Sequence, residues 1–487
     1  MSPSPDAADH HLDLPVGRHA EGQAGDPADE RDSDQRRVTA ELLVEAAQRA
    51  AAYVTGLRGR GVFPSEQALR GLAAFPRHLA DGPVPAQEVL ALLDRFGSPA
   101  TVASTAGRYF GYVTGGTDPA AAAAAVLLGA WDQNVALPGI SPIAALLDET
   151  AARWSCDLLG LPGDAIAAFC SGASVANLTG ILAARDALLH RAGWSVDRRG
   201  LTGAPPLRVI ASAEIHATVA KALRAAGFGA DHVVAAPTDE LGRVRPEAFP
   251  PADDRTLVLL QAGNVNTGHS DPFAEIIPAV RAAGGWVHVD GAFGLWAAAS
   301  PRRRHHVAGV DLADSWATDA HKWLNSPYDC GIAICRDPAD LRRAMAFNAA
   351  YLSTDAERAT AHLGLQMSQR ARGAEVWAVL AARGRTGVAD LVDRMCEHAE
   401  HMARLLSDAG ARLLAPPGLN QVLVSFGDDA TTDAVIAAVQ RDRTCWAGGT
   451  VWHGRHAMRI SVSDVATTTA DIEVSAEAII GCWRALS

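Results

Sequence analysis

Lysine is nearly missing from this chain. Only Lys221 and Lys322 occur in 487 residues, and arginine supplies the rest of the 43 basic side chains. Arginine stays protonated and cannot act as an amine nucleophile, whereas lysine can. Where arginine has taken over almost every basic position, a retained lysine points to a need for its amine. Cysteine is sparse too: seven residues, scattered, odd in number and without a CxxC pair. That pattern gives no sign of a zinc cluster, so no metal is expected, and it fits a reducing compartment. Basic charge is outweighed, with 55 Asp and Glu against 43 Lys and Arg and a net charge of −12. Phosphate-backbone binding needs a basic face, which argues against a general nucleic-acid binder. The longest apolar run, residues 119–131, is alanine-rich and shorter than the ~20 residues that span a bilayer. The N-terminus opens on Pro, Asp and His rather than on a basic stretch and an apolar core, so no signal peptide is read. A cytoplasmic protein without nucleic-acid or membrane partners is the expectation.

What is present is a pattern of alternating strand and helix. Residues 1–36 are polar, rich in Asp, Gly, Pro and His, and read as a disordered tail. Residues 37–115 read as a helical segment that starts with apolar spacing over 38–55. Over 116–370, apolar runs at 166–170, 207–211, 232–236, 256–261, 285–290, 315–318 and 331–335 alternate with helical periods. That alternation predicts an α/β domain with a mostly parallel sheet. Residues 371–487 begin with a long helix and continue as short strands and helices, a smaller C-terminal α+β domain.

Chemistry-bearing residues gather after the strand candidates, where ligands sit in open α/β sheets. Lys322, in DAHKWL (319–324), follows one strand and reads as a lysine that forms an imine. Asp290 ends the apolar strand of WVHVDGAFG (286–294). A carboxylate there needs a partner, and a pyridinium N–H would serve; an Asp before Gly291 also reads as a turn. FCSGASVANL (169–178) joins a strand to a helix, and Ser171, Gly172, Ala173 and Ser174 read either as an anion cradle or as a helix cap. His216, in SAEIHATV (212–219), precedes a helix and either stacks on an aromatic cofactor or caps that helix. Asn264, Asn266 and Thr267 form a polar loop after the strand TLVLLQ.

Taken together and in this order, the phosphate turn, IHATV, GNVNTG, HVDGAFG and DAHKW resemble the group II pyridoxal 5′-phosphate (PLP)-dependent amino-acid decarboxylases. That family includes the aromatic amino-acid, histidine, tyrosine and glutamate decarboxylases. MSQRAR (367–372), MRISV (458–462) and RYFGYVTGG (108–116) extend the similarity over roughly residues 40–480. The resemblance implies PLP-dependent transferase fold type I, the aspartate-aminotransferase-like fold. It further implies a homodimer with active sites near the subunit interface and decarboxylation of an L-amino acid to its amine and CO2. Residue by residue it implies Lys322 for the imine, Asp290 for the ring nitrogen and His216 for stacking. It implies Ala173 and Ser174 for the phosphate, Ala292 and His321 lining the cofactor, and Phe110, Tyr112, Asn266 and Arg370 on the substrate side. One departure stands out. The aromatic amino-acid decarboxylases carry on a mobile loop a tyrosine thought to protonate the substrate α-carbon, and residues 352–365 here hold none. His362 is that loop's expected proton donor, and Tyr351 only borders it. Relatives lacking this tyrosine can make an aldehyde instead, so a decarboxylating aldehyde synthase, a lyase or an aminotransferase of the same fold is the alternative. A non-catalytic relative is a third.

Overall fold

The computed structural model describes residues 27–346 and 359–486. Seven strands make the larger sheet: β1 (Ile166–Cys170), β2 (Arg208–Ser212), β3 (Val233–Ala236), β4 (Thr256–Gln261), β5 (Trp286–Asp290), β6 (Ser315–Asp319) and β7 (Gly331–Cys335). They lie in the order β1-β7-β6-β5-β4-β2-β3. The β2–β3, β2–β4, β4–β5 and β5–β6 pairs are parallel, and β7 runs antiparallel to both β6 and β1. The sheet is thus mostly parallel, as its near-continuous apolar strands imply: helices cover both faces, and every residue of β4 is buried.

Topology gathers the chemistry on one edge. The parallel strands β2, β4, β5 and β6 all end there. Because β7 reverses direction twice over, β1 ends there as well: Cys170 pairs with Gly331, and Gly331 pairs with Asp319. The β1–helix turn therefore lies beside the end of β6. Glycine is required at this meeting point, since a Cβ on Gly331 would come within 2.4 Å of the Gly172 carbonyl carbon.

A second sheet, in the order β10-β11-β9-β8, is built from β8 (Arg412–Leu413), β9 (Gln421–Ser425), β10 (Gly448–Trp452) and β11 (Arg455–Ser461). The helix Arg372–Asp408 leads into it and is broken at Gly384 (φ 60°). The N-terminal segment packs onto this sheet: the Phe110 N–H donates to the Trp446 carbonyl and the Ser461 N–H donates to the Phe110 carbonyl.

The expected tail needs correction. The first helix is Pro27–Gly56, so residues 27–36 are helical. Polar composition hides this because charges spaced four apart pair along the helix, Asp32 with Arg36 at 2.6 Å and Arg37 with Glu41 at 2.9 Å. The rest of that segment lies outside the described residues. Among the described residues no helix is long and apolar enough to cross a membrane, and no cluster of His, Cys, Asp and Glu is arranged to hold a metal ion.

Candidate active site

A cavity of about 420 Å³ opens on the edge where the strands end. Lys322, Asp290, His216, Ala173, Ser174, Ala292 and His321 all line it. Residues expected to share a cofactor, spread over 150 positions of sequence, thus converge on one space. Lys221 is exposed on the helix Ala217–Ala225, away from it.

Lys322 projects from the turn after β6, and its Nζ lies 3.3 Å from Asp319 Oδ2. The other Asp319 oxygen accepts the Ala173 N–H at 2.6 Å. Ala173 therefore spends its N–H on the protein, which leaves Ser171, Gly172 and Ser174 as the open part of the turn. Gly172 sits at φ 153°, and a Cβ there would meet His321 Cε1 at 3.3 Å. The helix Ala173–Arg191 starts at this turn and adds its favourable end for an anion. His321 accepts the Cys330 N–H on Nδ1 at 3.1 Å and packs against Tyr328, the two rings tilted by 30° with centroids 4.4 Å apart. Burial lowers its pKa.

Asp290 faces this group from the end of β5. Burial raises its carboxyl pKa, while the charges of His216 and Lys322 and the nearby Asn177 amide pull it back. His216 caps the helix that follows it and also reaches the cavity wall. Its Nδ1 accepts the Thr218 N–H at 3.3 Å and meets Thr218 Oγ1 at 2.7 Å, so it caps the helix Ala217–Ala225 while its ring lines the cavity. Burial lowers its pKa and Asp290 opposes that shift. The donor set fits PLP. It offers one amine, one carboxylate for a ring nitrogen, one ring for stacking and an anion-binding helix end around a single cavity.

Tyr112 lines the cavity, but the other substrate-side expectations fall elsewhere. Phe110, two residues earlier, is buried in the core under the second sheet, because the chain turns between the two, with Tyr112 at φ 57° and Val113 at φ 60°. Asn266 Oδ1 accepts a hydrogen bond from Thr450 Oγ1 at 3.0 Å, tying its loop to β10. Arg370 pairs with Glu375 at 2.7 Å and Asp329 at 3.1 Å beside a separate cavity lined by Ala125, Leu128 and Gln133. His362 sits on the short helix Thr360–His362, whose Thr360 Oγ1 donates to the Val135 carbonyl at 2.6 Å. It is absent from the cavity wall. Tyr351 and residues 352–358 lie outside the described residues.

Two residues were missed by the sequence reading. Asp319 stands within the DAHKWL motif, yet its double role is visible only once β1 and β6 are side by side. Arg459 is on β11 and has no carboxylate partner among the described residues. It acts electrostatically on His216 and Tyr112, and burial lowers its pKa. Its signal is spatial: an arginine from the second sheet brought close enough to act on His216 and Tyr112 of the cavity wall without belonging to that wall itself.

Solved structures with this architecture include Oryza sativa TDC with PLP and tryptamine, at 21% identity, 96% coverage of this chain, 99% of that one and a TM-score of 0.81. Rhodiola rosea 4-hydroxyphenylacetaldehyde synthase matches at 18% identity, covering 93% and 98%, with a TM-score of 0.79. They place the chain in PLP-dependent fold type I. The model of the pyridoxal-dependent decarboxylase conserved domain matches residues 73–427, and the chain belongs to that family. Among curated relatives, the acidic amino acid decarboxylase of Mus musculus is 28% identical over 331 residues, 65% of this chain. The match spans 59% of that relative's length.

Proposed function

We propose that the chain decarboxylates an L-amino acid to its amine and CO2, with PLP held on Lys322. One observation carries this reading: of the two lysines, the one in the cavity faces Asp290, His216 and the open turn of a helix N-terminus. When bound, the cofactor supplies a conjugated ring that accepts the electron pair left on the substrate α-carbon as CO2 departs. Lys322 would hold the cofactor at its aldehyde carbon through Nζ. Asp319, 3.3 Å from that Nζ, would hold the lysine side chain in place whenever its amine is free. Asp290 holds the proton on the ring nitrogen, since a buried carboxylate gains most from a cationic N–H partner. His216, fixed by Thr218, presents its ring face to the cofactor. Ser174 and the helix behind it take the phosphate. Arg459 binds an anionic group of the substrate and Tyr112 its side chain, which fixes the α-carboxylate relative to the ring. Lys322, His216, His321 and Tyr112 are cavity residues able to carry a proton to the α-carbon.

A decarboxylating aldehyde synthase is the second reading. It is favoured by the absence of tyrosine from residues 352–365 and by the similarity to the Rhodiola rosea synthase. A homodimer is part of the proposal. Val126, Leu127 and Trp131 on one helix and Ile143 and Leu146 on its neighbour are exposed apolar side chains, a face suited to a second copy. Screening amino acids for CO2 release, with amine, aldehyde and peroxide measured together, tests the function. Amine as the main product supports decarboxylation, whereas peroxide with aldehyde supports the synthase. CO2 release from no amino acid overturns both. Arg459→Ala is expected to raise KM at least tenfold with a smaller change in kcat.

A further inference from the structure

Behind Asp290 lies a row of buried polar groups that the proposed chemistry does not use directly. Trp286, His288, Ser315 and Asn177 are at most 1% exposed. Trp286 Nε1 lies 2.9 Å from Ser315 Oγ, Ser315 Oγ lies 2.8 Å from His288 Nδ1, and His288 Nε2 lies 2.9 Å from Asn177 Oδ1. Space for the imidazole is built in: Gly180, one turn after Asn177 on the same helix, has no side chain where a Cβ would lie 2.4 Å from His288 Cε1.

The direction of donation can be worked out. An indole N–H only donates, so Trp286 donates to Ser315 Oγ. The Ser315 hydroxyl then has His288 Nδ1 as the acceptor for its own proton. An imidazole that accepts on Nδ1 and stays neutral carries its proton on Nε2. Nε2–H donates to Asn177 Oδ1, which turns the Asn177 amino group away from His288. That amino group is buried and closes no hydrogen bond of ordinary length in the protein. Asp290, two residues after His288 on β5, shares the strand face that Asn177 packs against, and the Asn177 amide lowers its carboxyl pKa. In the reverse direction Asn177 would turn its carbonyl oxygen toward the Asp290 carboxylate, two acceptors face to face, and Ser315 would lose the acceptor for its proton.

We propose that Ser315, His288 and Asn177 are positioning residues: a one-way hydrogen-bond chain from Trp286 that aims the Asn177 N–H at Asp290 and keeps that carboxylate the acceptor for a ring N–H. The chain rests on the PLP reading for its purpose, but its direction is a property of the protein alone. The buried His288 is uncharged, its pKa pushed down to about 3 by burial, as a neutral relay requires. Asp290 Oδ1 also accepts the Ala292 N–H at 3.2 Å, so donors of the protein orient the carboxyl while it remains an acceptor for the cofactor.

Two measurements test this. In the cofactor-free wild-type protein with ¹⁵N-labelled histidine, the ring nitrogens of His288, assigned by their loss in His288→Gln, are expected to show the neutral Nε2–H form from pH 6 to 8. An Nδ1–H form or an imidazolium overturns the proposal whatever the protein binds. In the PLP-loaded protein, Asn177→Ala is expected to weaken PLP binding about tenfold and shift the ¹⁵N signal of labelled PLP from pyridinium toward unprotonated pyridine at pH 8. Asn177→Ser, which keeps a donor, is expected to retain the pyridinium signal. An unchanged affinity and signal in Asn177→Ala overturns the proposal. Failure of the wild type to bind PLP at all would instead refute the functional reading.

Discussion

Replacing Gly180 by alanine pits two opposing effects against each other. Inside the helix Ala173–Arg191, alanine should help, because glycine costs roughly 0.5–1 kcal/mol relative to alanine in a helix interior. The new Cβ, however, would lie 2.4 Å from His288 Cε1 and 2.5 Å from Nδ1. The imidazole cannot step aside cheaply, since it is fully buried and held at both nitrogens by Ser315 and Asn177. Forcing a methyl into such a core costs typically ~1–3 kcal/mol. The clash offsets the helix gain, leaving a net destabilisation of about 0–2.5 kcal/mol. Gly481→Ala is the control. That glycine is also helical but has nothing within 4 Å of its Cβ position, so the helix term should act alone and stabilise by roughly 0.5–1 kcal/mol. Urea denaturation followed by tryptophan fluorescence compares the two. If Gly180→Ala stabilises as much as Gly481→Ala, His288 does not pack against that helix as described.

Acid should unfold the protein partly through His288. Its folded pKa of about 3 lies below the ordinary 6.5, so the folded state binds fewer protons and stability falls as pH drops from 6.5 toward 3, by up to about 1.4 kcal/mol per pH unit. Urea midpoints from pH 7 to 4 should decline more steeply in the parent than in His288→Gln, and equal slopes would contradict this. Leu127→Asp with Leu146→Asp should convert a dimer to monomers in sedimentation velocity, and an unchanged species would place the second copy elsewhere. Phe110→Ala should cost about 3–5 kcal/mol of stability, because Phe110 is a core side chain. A stable variant altered only in substrate preference would return Phe110 to the cavity wall.

The sequence made the large sheet readable because its strands are short apolar runs bounded by turn residues. β1, β4 and β7 fall on the expected residues. β10 escaped because it opens on Gly448 and Gly449 and so lacks an apolar run. Lys322 stood out through the scarcity of its residue type, and Asp290 and His216 through their places after strands. What stayed hidden depends on partners distant in sequence. His288 reads as one residue of an alternating strand, and nothing near it announces Asn177, 111 positions away. Arg370 reads as a free cation until Asp329 and Glu375 are brought beside it. In RYFGYVTGG, the turn at Tyr112 and Val113 (φ 57° and 60°) sends Phe110 and Tyr112 to different surroundings, which a count of aromatics cannot separate.

The most direct test of the central claim is chemical. The PLP-loaded protein is reduced with borohydride, digested and mapped by mass spectrometry. A pyridoxyl group on Lys322, with Lys221 unmodified and Lys322→Ala unlabelled, is the predicted result. Label on Lys221, or none on either lysine, would contradict the account.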